Sequence, residues 1–244
     1  MIPVDSLLYK IDQRLNKLST NDHQQIALED KILALNEAQI KLIKQKLDGM
    51  SVASGGMGLD SFKKRYEDLQ KLAINYNDGE LPLTLTNETI NQWTAYPDDL
   101  EPKFMFYLDS YILADKGRCT DRIIWINKEL AKHGDIPMLL NNSHYKPSFE
   151  YQETFNSLSS NQISVFTDGT FEPTKIYVSY LRYPVYINKS GYIMFDGEPS
   201  TDVDCELATY LEDELLDLTV QNLAMYTENV SAVQNSAYRI QTNE

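Results

Sequence analysis

The sequence predicts an α+β protein, and three observations carry that prediction. Apolar residues recur at helical spacing over the first 79 residues, the period drops to two from Leu81, and helical spacing returns after residue 200. The expected architecture is an N-terminal helical hairpin or bundle, a central and mostly antiparallel β-sheet, and a long C-terminal amphipathic helix packing on that sheet. The expected organisation is a helical unit over 1–79 with a flexible 49–58 linker, and a β-rich unit over 80–195 with a short helix and a long loop at 141–160. Residues 196–244 complete it as an acidic turn, the C-terminal helix and a polar tail.

Asp5 or Ser6 caps a first helix whose apolar side is Leu7, Leu8, Ile11, Leu15 and Leu18. Ser19, Thr20 and Asn21 break it and offer caps for a longer second helix. There Ile26, Leu33, Ile40, Ile43 and Leu47 form the main track, broadened by Leu28, Ile32, Leu35 and Leu42. Asp48-Gly49 ends it, glycine being the usual residue for a left-handed position after a helix. Met50 to Gly58 is rich in glycine and serine and reads as a mobile joint between units. Ser61 caps a third helix with Phe62, Tyr66, Leu69, Leu72 and Tyr76 on one side, and Asn77-Asp78-Gly79 stops it.

The strand period opens with Leu81, Leu83 and Leu85 alternating with Pro82, Thr84 and Thr86. The continuous apolar runs Phe104–Leu108 and Arg122–Ile126 suit buried strands. Asn127 to Gly134 reads as a short helix, and Asn141 to Ser160, polar and interrupted by proline, as a loop or arm. Ile163–Phe166, a turn at Asp168-Gly169 and a strand over Ile176–Ile187 complete an expected antiparallel meander.

After a turn at Asn188–Gly191 and the run Tyr192–Phe195, an acidic segment leads into the last helix. Thr209 and Glu212 stand at capping-box spacing. Leu211, Leu215, Leu218, Asn222 and Met225 form one row, with Leu216, Val220 and Leu223 beside it, a stripe wide enough to cover a sheet or two helices.

This C-terminal third also carries a family resemblance. The strand Tyr180-Leu181-Arg182-Tyr183-Pro184 resembles the virion structural proteins of tailed bacteriophages. So does the order that follows it: turn, Asp204-Cys205-Glu206-Leu207, helix, and Ser236-Ala237-Tyr238-Arg239-Ile240-Gln241. The chain is most similar to ring or adaptor proteins of the head–tail connector in crAss-like phages; the centre matches loosely and the first helices only as helices. The resemblance implies a virion location after assembly in the host cytoplasm, and a homo-oligomeric ring, a dodecamer being the copy number it implies. It further implies portal, connector or tail proteins as neighbours and DNA passing through without specific binding. It brings no active site. Another virion tail or portal-associated protein, or an acidic enzyme with a site assembled from scattered residues, stays open beside it.

Composition points the same way. The net charge is −14, and a nucleic-acid reader would need basic residues to displace phosphate counterions. No Lys or Arg lies between Lys189 and Arg239, while Asp196, Glu198, Asp202, Asp204, Glu206, Glu212, Asp213, Glu214, Asp217 and Glu228 all do. Facing a channel, that stretch would repel phosphates; facing outward, it would solubilise the chain or meet basic patches on a neighbour. The 16 tyrosines suit protein contacts, because each ring buries much area with few rotors, and suit half-buried strands equally.

Catalytic and cofactor signals are expected to be absent. Gly55-Gly56-Met57-Gly58 fits neither glycine fingerprint for phosphates. Asp196, Glu198, Asp202 and Asp204 are close in sequence but miss the spacing of a calcium loop. His23, His133 and His144 are scattered, and Cys119 and Cys205 are too few for a disulfide framework or a zinc site. No nucleophile elbow or metal-binding helix motif can be assembled. The expectation is therefore no enzyme, no catalytic, cofactor-binding or metal residues, and no cofactor. With no apolar run of spanning length and no signal-like segment, no membrane partner is expected either.

Overall fold

Helix, sheet and helix follow one another in the computed structural model, whose described residues are 1–18, 26–48, 67–126, 130–194 and 197–226. In chain order the elements begin with α1 (Val4–Leu18) and α2 (Leu28–Asp48), followed by β1 (Ala73–Ile74), β2 (Glu80–Pro82), β3 (Thr84–Asn87) and β4 (Gln92–Ala95). Next come β5 (Phe104–Lys116), β6 (Cys119–Ile126), α3 (Ile136–Asn141), β7 (Glu153–Thr154) and β8 (Asn156–Ser159). The series ends with β9 (Gln162–Phe166), β10 (Glu172–Arg182) and α4 (Glu212–Tyr226). The fold is α+β. The expected 49–58 linker, the glycines within it, and residues 61–66 of the expected third helix lie outside the described residues.

Two compact units divide the chain, one of Met1–Lys71 with Pro184–Glu244 and one of Leu72–Tyr183. The expected cuts at 79/80 and 195/196 differ from these, because α4 packs with the N-terminal helices and because Ala73–Ile74 pair with β10 in the sheet.

In the discontinuous unit, α4 lies against α2 and α1. This corrects the expectation that it covers the sheet. Leu7, Ile11 and Leu15 of α1 and Ile32, Leu35, Leu42 and Ile43 of α2 are buried, as are Leu215, Leu216, Leu218, Val220 and Leu223 of α4. Every residue from Leu215 to Val220 is buried, so over this stretch α4 is enclosed around its whole circumference. Only Met225, at the end of the expected stripe, stays exposed. The expected capping box is not made. Thr209–Leu211 forms a 3-10 turn without a side-chain cap, and Glu212 turns instead to Lys10 at 2.7 Å and Ser6 at 3.4 Å.

The other unit holds two sheets. The first has the order β1-β10-β5-β6-β7, with β2 pairing the same side of β10 as β1; the second has the order β3-β4-β9-β8. The core combines Ile112 and Ala114 of β5, Ile124 and Ile126 of β6, and Ile176, Val178 and Tyr180 of β10 with Ala95 of β4 and Ile163 and Val165 of β9. Strands β10 and β5 pair along almost their whole length. The meander expectation fails at Asp168-Gly169, where the chain crosses from β9 in one sheet to β10 in the other, and at β6–β7, which pair in parallel. Strand β10 ends at Arg182 because Pro184 has no N–H to donate, and Pro184 also ends the sheet unit.

Three further corrections have local causes. Residues 67–69 are helical, but the expected third helix does not run on to Tyr76: Ala73 pairs with Leu181, and the Arg182 N–H reaches the Leu72 carbonyl at 3.0 Å. The sheet overrides helix propensity there. Gly79, expected only as a helix stop, has a second reason to be glycine. A Cβ would stand 1.9 Å from the Val178 carbonyl oxygen, so no other residue fits without moving β10. The expected helix at Asn127–Gly134 is displaced to a 3-10 turn at His133–Asp135 and α3, with residues 127–129 outside the described set.

The expected loop at 141–160 holds strands β7 and β8. Their polarity hid them, since Thr154, Asn156 and Ser157 are all buried. Thr154 Oγ1 donates to the Phe166 carbonyl, and Asn156 Nδ2 donates to the Tyr107 hydroxyl at 3.0 Å. Ser160 and Asn161, both with positive φ, make the tight turn from β8 to β9.

Candidate functional site

Residues 184–208 carry little regular structure, yet the described residues of the segment are tied down at several points. Asn36, a polar residue within the apolar face of α2, is the principal anchor. Its Nδ2 donates to the Ile187 carbonyl and its Oδ1 accepts from the Ile187 N–H, both at 2.8 Å, with Ile187 fully buried. Asn188 and Val203 exchange backbone bonds at 3.1 and 2.9 Å, and Ile2 and Cys205 do so at 2.9 and 3.0 Å. Tyr192 and Ser200 close the turn, with Oγ of Ser200 both accepting from Tyr192 N and donating to its carbonyl. Glu206 accepts the Val185 N–H at 3.0 Å. Val185, Tyr186 and Ile193 project from this framework into solvent. Fixed backbone presenting exposed apolar tips has the character of a contact surface rather than of a loose connector.

The acidic residues around it are mostly paired inside the same unit. Asp202 accepts from the Ser190 N–H at 2.7 Å and meets Lys189 at 3.0 Å, while Lys189 also reaches Asp5 at 2.9 Å. The Ser190 bonds, reinforced by Lys189, hold the Asp202 carboxyl at about 2. Asp204 accepts the Val4 N–H at 3.0 Å. On α4, Glu212 pairs with Lys10, Glu214 with Lys46, and Asp213 and Asp217 both with Arg14. Among the described residues no cluster of His, Cys, Asp or Glu could hold a metal ion, and Asp196 lies outside them.

The Asp202 shift gives a pH dependence. A carboxylate with a depressed folded pKa stabilises the fold above its unfolded value and loses that contribution as the pH falls from about 4 toward 2. Asp202→Asn is expected to lower the melting temperature by a few degrees at pH 7 and by much less at pH 2. An equal deficit at both values would show that the ionised form is not what matters.

The scattered candidates stay scattered. Burial pushes the Cys205 thiol up to about 11, which keeps it from acting as a thiolate nucleophile. Cys119 is exposed, as is His144; His23 lies outside the described residues. His133 does acquire neighbours. With Lys146, Ile136, Leu140 and Phe166 it lines an open cleft of about 600 Å³ between α3 and the end of the four-stranded sheet. Asp168, at the rim, is already held by the Thr170 N–H and hydroxyl at 2.9 and 2.8 Å. No hydrogen bond or ion pair among the described residues joins His133 to a carboxylate, so the cleft contains no oriented acid–base pair.

The outer face of the six-stranded sheet holds a feature that the sequence concealed. The run Arg122–Ile126 reads as doubly buried, but only Ile124 and Ile126 enter the core, and Ile123 and Trp125 face solvent. Trp125, Tyr111 and Tyr177 stand in register across β6, β5 and β10. Tyr111 and Tyr177 stack at 5.0 Å, Trp125 tilts onto Tyr111 at 5.7 Å, and Tyr76 closes over Tyr111 at 5.1 Å. The strict alternation of β10, with Tyr177 between buried Ile176 and Val178, was the available signal. No helix among the described residues is long and apolar enough to cross a membrane. No protein-family model matches the chain, and no curated protein matches it.

Proposed function

We propose that the chain is a structural subunit of a bacteriophage head–tail connector, assembling into a closed ring that joins portal to tail and lets DNA pass. The observation that carries this reading is the anchored 184–208 segment, which holds Val185, Tyr186 and Ile193 outward on a fixed backbone. It directly follows the Tyr-Leu-Arg-Tyr-Pro run on which the family resemblance rests. A subunit that must meet identical neighbours repeatedly needs such preformed contacts, and closed cyclic symmetry keeps one repeated contact from growing into a filament.

Passage of DNA without gripping rests on the overall charge. The expected argument from the acidic stretch is weaker, because Asp202, Glu212, Asp213, Glu214 and Asp217 are paired with basic side chains of their own unit. A net charge of −14 remains, and it disfavours phosphate binding.

The test is a reconstruction of assembled particles together with a Tyr186→Ala/Ile193→Ser variant. The expected result is a ring of copies, and a variant that keeps its melting temperature but fails to enter particles. A single isolated copy in the map would overturn the ring. Salt-sensitive DNA binding by the free chain at sub-micromolar concentration would overturn the non-gripping role.

A further inference from the structure

Independently of that assembly, we infer that the outer face of β6, centred on Trp125 and Glu153, docks an extended, arginine-bearing segment of a partner chain. Trp125 and Glu153 are register partners in the parallel pair of β6 and β7, and both are exposed, while Ile126 and Thr154, the next pair along, are buried. The two side chains therefore stand side by side on the outer face. The Glu153 carboxylate has no partner among the described residues. Trp125 is 55% exposed, and its inner neighbour Tyr111 is wedged between Tyr177 and Tyr76. The tyrosines are themselves pinned, Tyr177 to Glu80 at 3.1 Å and Tyr76 to Asp109 at 3.1 Å. The site is rigid before anything binds.

Chemistry selects the occupant. An indole face beside a free carboxylate suits a guanidinium, which stacks on the ring while its N–H fork meets the carboxylate in plane; an ammonium achieves only part of this. Among the described residues the rim adds Asp109 and Glu80, the latter held by Lys175 at 2.6 Å, so these groups together with Glu153 are net acidic.

Area and charge argue against a second copy. A buried aromatic covers about 150–250 Å², and with most of these rings already half covered the patch offers on the order of 400 Å². A stable protein pair needs about 800 Å² from each partner. Two acidic-rimmed faces of a chain at −14 would also repel each other. A short segment fits the patch. Tyr111 and Tyr177 cover one another's faces at 13°, so the row offers no flat platform of the kind a sugar ring needs.

The experiment passes acetylated pentapeptide libraries over the immobilised full chain, with the central residue fixed as Arg, Lys or Glu, and reads retention by mass spectrometry. The Arg library is expected to be retained roughly tenfold over the Glu library and several-fold over the Lys library. Trp125→Ala should lower Arg retention by roughly tenfold and Glu153→Gln by about fivefold, with the melting temperature unchanged for Glu153→Gln and lowered by only a few degrees for Trp125→Ala, whose ring is half-buried against Tyr111. Equal retention of the Arg and Glu libraries, or undiminished retention in both variants, would overturn the assignment. Sedimentation of the full chain supplies the other arm: self-association abolished by Trp125→Ala would give the face to a second copy and equally overturn it.

Discussion

Leu215→Asp is expected to unfold the helical unit. Leu215 is fully buried, one turn into α4, in a stretch where every residue to Val220 is enclosed by the unit's own packing. Losing a buried leucine side chain to alanine costs about 2–5 kcal/mol. A carboxylate placed there adds its desolvation, and Lys10, Arg14 and Lys46 of the neighbouring helices are already engaged by Glu212, Asp213, Glu214 and Asp217. The sum reaches the whole stability of an ordinary domain, about 5–15 kcal/mol. Chemical denaturation followed by helical circular dichroism is the measurement, with Leu215→Met as a control expected to cost under about 1.5 kcal/mol. An unchanged midpoint for the aspartate variant would mean that this face of α4 is misassigned.

That helix also marks how far the sequence reads. Its two leucine rows make its burial legible, but a stripe of that width covers a sheet as readily as a pair of helices. What decides the partner is charge: Lys10, Arg14 and Lys46 on the N-terminal helices answer Glu212, Asp213, Glu214 and Asp217. Those residues are all visible in the sequence, though their spatial match is not. Helices α1 and α2 and strand β10 are legible because one clear period runs through each. Strands β7 and β8 are not, because buried Thr154, Asn156 and Ser157 break the rule that inward positions are apolar. Thr154 is tolerated because its bond to the Phe166 carbonyl offsets part of the desolvation, and Asn156 because its amide donates to the Tyr107 hydroxyl.

The candidate surfaces were legible only in fragments. Asn36 is the clearest missed signal: an amide on the apolar side of a helix needs a buried partner, and here it takes both backbone groups of Ile187. Trp125 was hidden for the opposite reason. An unbroken apolar run suggests burial on both faces, and only the pairing of β6 shows that one face has no cover. Gly79 resisted reading because its constraint comes from β10, far along the chain.

Arg14→Ala is expected to destabilise the helical unit by about 3 kcal/mol, the lower end of the range for breaking a buried ion pair. Arg14 bonds Asp217 and Asp213 at 2.5 Å each, but the two carboxylates are not equivalent, with side-chain exposures of 3% and 74%. The exposed pair is worth little, since water screens Asp213 with or without its partner. The cost lies in Asp217, a buried carboxylate that loses its ion pair with Arg14. Removing the carboxylate as well should relieve that cost. The double variant Arg14→Met/Asp217→Leu is expected to recover most of the lost stability, because a buried ion pair replaced by well-packed apolar groups is often neutral or better. Urea midpoints of the single and double variants measure the coupling. If the double variant were less stable than Arg14→Ala, then Asp217 would owe its place to something other than Arg14. If Arg14→Ala itself cost nothing, the ion pairs between α1 and α4 would not be what directs the C-terminal helix to its partners.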